Sequence, residues 1–162
     1  MNNSEYIKFS YSDKIKIKDC KRVFNLINNC KQTKDKKTKA FWLKNVPDYV
    51  LKYFTELEKR EKWSLINLID FIINDLDVTF LGFSDEQDDI LKLNFESNRY
   101  PYGGPSSLIF FLRAFNCIAK QTDEGSDTYN IIWSSSFKFE LKSIKSKETK
   151  GFKNIIKRLF KN

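Results

Sequence analysis

Glu140 and Lys142 stand two residues apart in a segment where Phe137, Phe139 and Leu141 alternate with Lys138, Glu140 and Lys142. On a strand that spacing puts the carboxylate and the ammonium on one face. Metal-dependent nucleases use such a pair with a second acid upstream, for which Asp127 is the nominal candidate. The same acid-x-lysine pattern recurs at Asp19/Lys21, Asp35/Lys37 and Glu148/Lys150. Four occurrences in one charge-rich chain make it background, and the solvent face of a half-buried strand explains Glu140 and Lys142 equally well. The chain contains no histidine, which excludes His-based dyads, triads and metal sites. Cys20, Cys30 and Cys117 show no CxxC spacing. On one helix Cys20 and Cys30 would lie about 15 Å apart, too far for a disulfide, so the cysteines read as small buried apolar residues in a reducing compartment.

The stretch Arg99 to Ser107, RYPYGGPSS, is the one Gly/Pro-dense part of the chain. A Gly-Gly-Pro-Ser-Ser turn entering a helix offers backbone N–H groups to an anion. It lacks the GK[ST] of a P-loop and does not fit GxGxxG, so a tight turn into a buried helix is the simpler reading. Tyr100 and Tyr102 beside it are candidate contact residues, because exposed tyrosines at a turn make good recognition groups. The acidic run Asp85, Glu86, Asp88 and Asp89 lacks the glycine and terminal glutamate of a calcium loop. It reads as a solvated hairpin. With Asp123, Glu124 and Asp127 on a second hairpin it would form an acidic patch for a basic partner, provided both hairpins fold to one side.

Charge is unevenly distributed. Residues 1–62 carry 16 Lys and Arg against 8 Asp and Glu, residues 63–135 carry 4 against 11, and residues 136–162 carry 9 against 2. An acidic middle therefore sits between two basic ends, which either fold onto it or face an acidic partner. The first ten residues hold no continuous apolar run of the kind a secretory signal needs. The most apolar window, Leu65 to Leu76, is broken by Asn67, Asp70, Asn74 and Asp75 and is far shorter than the ~20 residues of a membrane span. A cytoplasmic protein without a transmembrane segment is expected.

The elements follow from periodicity. Glu5 to Ile17 alternates and predicts an edge strand or extended arm. Lys18 to Cys30 places Cys20, Val23, Phe24, Ile27 and Cys30 on one helical face. Lys31 to Lys39 has no apolar residue and reads as a solvated loop. Asn45 is placed to cap a helix entered at Pro47, with Val50, Leu51, Phe54 and Leu57 inward. Trp63 to Leu76 predicts a buried central helix. Asp77 to Phe83 and Ile90 to Phe95 predict two strands, with the six residues Ser84 to Asp89 as their loop. Leu108, Phe111, Leu112 and Phe115 mark a helix after Pro105. Ile118 to Gln121 pairs with Thr128 to Trp133 across Asp123-Glu124-Gly125, and Phe137 to Leu141 forms a last strand.

The succession RYPYGG, then LIFFLRAF, then an acidic glycine hairpin at Asp123 to Asp127 and a strand with Trp133, resembles small cytosolic immunity proteins of bacterial toxin–immunity loci. The resemblance covers residues 77–142 and its motif is structural. It implies a non-enzymatic role, binding and blocking a cognate toxin domain.

The fold expected is α+β: N-terminal helices, then a mostly antiparallel sheet around one or two buried helices, and a short basic amphipathic C-terminal helix. Residues 1–142 form the domain, 143–150 a polar linker and 151–162 the helix. The function expected is a protein-binding module, an immunity-type inhibitor that occludes a toxin domain and needs no cofactor or metal. Its contact residues are Asp85, Glu86, Asp88, Asp89, Tyr100, Tyr102, Asp123, Glu124 and Asp127. The alternative is a nucleic-acid or anionic-surface binder using the basic ends, Lys31 to Lys39 and Lys138 to Lys161.

Overall fold

Asp13 decides where the N-terminal alternation stops. In the computed structural model, which describes residues 4–144, its carboxylate accepts hydrogen bonds from the backbone N–H groups of Ile15 and Lys16, an N-cap. Strand β1 therefore spans Glu5–Ser10, and helix α1 spans Lys14–Thr33. Ile15, expected on a strand, lies 74% exposed on the helix, while Ile17 joins Cys20, Val23, Phe24, Ile27 and Cys30 in the buried stripe. Nor is β1 an edge strand or an arm. It lies between β3 (Ile90–Ser97) and β4 (Ile118–Asp123), pairing antiparallel with both, and Ile7 and Phe9 are wholly buried.

The basic run 31–39 is a loop only over residues 34–38. Lys31 sits in the last turn of α1, and its ammonium donates to the carbonyls of Ile72, Ile73 and Leu76 at the end of helix α4 (Leu65–Asn74). A cation there satisfies carbonyls that the helix leaves unpaired. Helix α2 (Lys39–Asn45) had no clear sequence signal; Thr38 caps it through the Phe41 N–H and Trp42 buries its inner side. Asn45 does not cap the next helix. It ends α2, donating its amide to the Phe41 carbonyl, and α3 (Asp48–Glu58) starts after Pro47 without a side-chain cap.

Helix α4 is shorter than its apolar window and amphipathic: Ser64 caps it, Leu65, Leu68, Ile69 and Ile72 are buried, and Asn67 and Asp70 face solvent. The most enclosed helix is instead α5 (Ser106–Ala114), buried from Ser107 to Leu112 and again at Ala114. It packs against α3, α4 and β4, which accounts for its apolar residues on nearly every side.

Strand β2 (Val78–Gln87) pairs with β3, and β4, β5 (Thr128–Ser135) and β6 (Lys138–Ser143) follow in turn. The six strands lie in the order β2-β3-β1-β4-β5-β6, antiparallel throughout. The fold is thus α+β, but its helices are not confined to the N-terminal half, since β1 precedes them and α5 separates β3 from β4. The polar residues after Ile144 and the helix expected at 151–162 lie outside the described residues. One sheet face, carrying Ile7, Phe9, Leu91, Leu93, Phe95 and Ile131, is buried in the core with the helices. The residues alternating with them, among them Tyr6, Lys8, Lys92 and Gln121, form the other face. All three cysteines are buried free thiols, and burial, followed by contact with Cys117, pushes the Cys20 pKa up.

Candidate functional site

An antiparallel sheet alternates its turns between two ends, and that separates the two acidic hairpins. β1 finishes at Ser10, opposite Ile90, where the Tyr11 N–H also donates to the Asp89 carbonyl. The β2–β3 turn is therefore at this end. β1 begins opposite Phe95 on β3, with Tyr6 opposite Asp123 on β4, so the β4–β5 turn is at the other end. At about 3.3 Å per residue, the six residues of β1 hold the two turns on the order of 17 Å apart. The two acidic groups do not make one patch.

At the first end, only Asp88 and Asp89 form the turn, with Asp89 at φ 59°. Asp85 and Glu86 belong to β2, not to a six-residue loop. Glu86 is already neutralised, since Lys8 lies 3.2 Å and Lys92 3.4 Å from its carboxylate oxygens. Desolvation alone would raise its pKa, but the two lysines hold it below the ordinary value. Lys92 also lies 4.3 Å from the centre of the Tyr6 ring, and Tyr6 donates to Gln121 at 3.4 Å.

The second end is built differently. The Asp123 carboxylate accepts from the Gly125 N–H at 2.8 Å and from the Thr128 hydroxyl at 3.3 Å, and the Glu124 N–H donates to the Asp127 carbonyl. These bonds fix the turn before any partner arrives. Gly125 sits at φ +83°, the conformation that favours glycine, and a Cβ there would come within 3.1 Å of a Glu5 carboxylate oxygen. Glu5 reaches across to β3, accepting from the Ser97 N–H and hydroxyl. Among the described residues no ion pair involves Glu5, Asp123 or Glu124. Burial, then the charges of Glu5, Asp127 and Asp123, raise the Glu124 pKa.

Tyr100 and Tyr102 lie in the loop that follows β3 at this same end, and they part company. Tyr100 is 91% exposed, whereas Tyr102 is 4% exposed and packs on Phe95, so it is not the surface contact its sequence position implied. The Tyr102 hydroxyl is buried with no hydrogen-bond partner; burial and the charges of Glu124 and Glu5 raise its pKa. Tyr100, Tyr102, Asp123, Glu124 and Asp127 are thus gathered at one end, and Asp85, Glu86, Asp88 and Asp89 at the other. Glu5 completes the second group and was not foreseen, because only the long-range register brings it there.

The remaining candidates do not assemble. Glu140 and Lys142 are exposed on the edge strand β6, 3.6 Å apart, and Glu140 pairs opposite Ile132, away from the turn that holds Asp127. No group of His, Cys, Asp and Glu among the described residues could hold a metal ion. An open groove of about 730 Å³ runs beside Lys34, Thr79, Arg99 and Tyr100, but Lys31 is spent on α4 and Arg99 pairs with Asp77 at 2.9 Å. Among the described residues no helix is long and apolar enough to cross a membrane. Comparison with known proteins found no matching family model, curated protein or solved structure.

Glu124 gives a pH test of this geometry. Its folded pKa is raised, so its most favourable contribution to stability is present when it is protonated and is lost as pH rises through that value. Glu124→Gln is expected to raise the thermal midpoint at about pH 7, with the gain vanishing near pH 4, where both side chains are neutral. Equal midpoints for variant and parent at both pH values would show that neither burial nor the neighbouring carboxylates penalise the Glu124 charge.

Proposed function

We propose that this chain is a non-enzymatic cytoplasmic binding protein of the immunity type, which occludes a cognate bacterial toxin domain without a cofactor. The observation that carries this reading is the inequality of the two acidic ends. At the first end Glu86 has its own lysines, Lys8 and Lys92. At the second end Glu5, Asp123 and Glu124 have no ion pair among the described residues, and burial together with repulsion from the neighbouring carboxylates disfavours the Glu124 charge on a turn already held by Asp123. A partner that brings positive charge removes that repulsion on binding, so electrostatic relief favours the complex and steers its approach. A pre-organised turn also loses little conformational freedom on association. The resemblance around RYPYGG and the acidic glycine hairpin gives the partner its class, a toxin domain.

The test is capture from a lysate of the native cells with the tagged full-length chain, after nuclease treatment and in moderate salt. One protein recovered at equal stoichiometry, whose own toxic or enzymatic activity is lost in the complex, is the expected result. Recovery of nucleic acid, or of proteins lost on nuclease treatment, would overturn it in favour of the basic ends, whose phosphate contacts would weaken steeply with salt.

A further inference from the structure

We propose that Glu5, Glu124 and the Tyr102 hydroxyl form a receptor for one cationic side chain, a lysine ammonium or arginine guanidinium presented by a protein partner. This rests on the protein-binding reading above and gives it a site. Two independent observations meet here. The first is the crowding of Glu5, Asp123, Glu124 and Asp127 at one end of the sheet, with no ion pair to Glu5, Asp123 or Glu124 among the described residues. The second is the Tyr102 hydroxyl, 96% removed from solvent as a residue, without a hydrogen-bond partner, and in the field of Glu124 and Glu5. A buried hydroxyl left unpaired costs stability, and a donor entering between the two carboxylates satisfies all three groups together.

The chemistry favours a nitrogen cation. No described cluster could hold a metal ion, whereas an ammonium or guanidinium offers several N–H donors in different directions. Charge-assisted bonds to carboxylates are the stronger kind. Gly125 brings the turn close to Glu5, since a Cβ there would lie 3.1 Å from the Glu5 carboxylate oxygen. The opposite end shows the satisfied counterpart, with Lys8 and Lys92 closing on Glu86.

The same cation has a second possible source. The Ile144 N–H donates to the Thr128 carbonyl, so the chain leaves the described residues beside this turn, and Lys145 and Lys147 follow in sequence. The experiment separates the two sources. The full-length chain, isotopically labelled, is titrated with a blocked hexa-arginine peptide and followed by amide NMR. Saturable shifts at Glu124, Gly125 and Asp127 are expected, with affinity falling about fivefold in Glu124→Gln and in Tyr102→Phe. The double variant Asp88→Asn/Asp89→Asn is expected to bind as the parent does. Tyr102→Phe removes a hydroxyl that bonds to nothing, so its thermal midpoint should not fall and lost binding cannot be blamed on misfolding. Equal shifts at Asp88 and Asp89, or parental affinity in Tyr102→Phe, would overturn the receptor. If Lys145→Ser/Lys147→Ser moves the Glu124 and Gly125 signals with no peptide present, the cation belongs to this chain and the partner assignment fails. A captured toxin domain that binds Glu124→Gln and Tyr102→Phe as tightly as the parent would sink this site while leaving the protein-binding reading intact.

Discussion

A chain shortened to begin at Asp13 is expected to show no cooperative thermal transition. The deletion takes away β1, which pairs with β3 on one side and β4 on the other. Without it the sheet separates into the β2–β3 hairpin and the β4–β5–β6 meander, each with a new unpaired edge. Ile7 and Phe9, both wholly buried, leave the core with it. Large core truncations cost about 2–5 kcal/mol each, and a domain has about 5–15 kcal/mol in all. Loss of two such side chains and both strand ladders exceeds that reserve. Circular dichroism against temperature decides it: a sharp transition in the shortened chain would mean that residues 1–12 are an arm.

That outcome bears on why the N-terminus reads one way in sequence and folds another. Alternation at Ile7, Phe9 and Tyr11 marks a strand correctly, but a period of two carries no information about neighbours. Whether β1 lies at an edge depends on residues more than eighty positions away, such as Phe95 and Asp123. Where it ends was legible in principle, since Asp13 stands before a helical stripe starting at Ile17, and capping outweighs the continued alternation of Ile15. The α1 stripe from Cys20 to Cys30 was fully legible because five residues repeat at helical spacing. Trp63 to Leu76 misled because apolar content was taken for enclosure. Asn67 and Asp70 lie at helical spacing on one side and so already marked a solvent face, whereas the deeper burial of α5 follows from packing against α3, α4 and β4.

The site was legible in composition but not in placement. Asp85 and Glu86 read as loop because every residue from Ser84 to Asp89 is polar. They are instead the outer part of an edge strand, where both faces meet water, and β2 carries register shifts beside Gly82 and between Asp85 and Gln87. Such irregularities protect an edge from pairing with other chains. Tyr100 and Tyr102 look equivalent two residues apart in a turn, yet one faces solvent and the other lies on Phe95. Glu5 carried no local signal at all, and it stands beside Gly125 only because β1 is paired in the middle of the sheet.

Phe24→Ala is expected to cost about 3–5 kcal/mol, the largest effect of any single truncation on α1. The Phe24 ring is 2% exposed and meets three others edge-on or tilted: Phe80 at 4.9 Å, Phe83 at 5.0 Å and Phe111 at 6.3 Å. Those partners come from β2 and α5, so one side chain ties the first helix to the edge of the sheet and to the innermost helix. Aromatic pairs of this geometry add to what area burial supplies, and the void left by alanine is lined by rings that cannot all move inward. For a chain of this size each kcal/mol lowers the midpoint by about 2–4 °C, so the fall should exceed about 6 °C. Ile15→Ala is the control, since alternation ranks Ile15 beside Ile17 but the helix leaves it in solvent. A midpoint that falls as far for Ile15→Ala as for Phe24→Ala would show that α1 does not dock through this stripe.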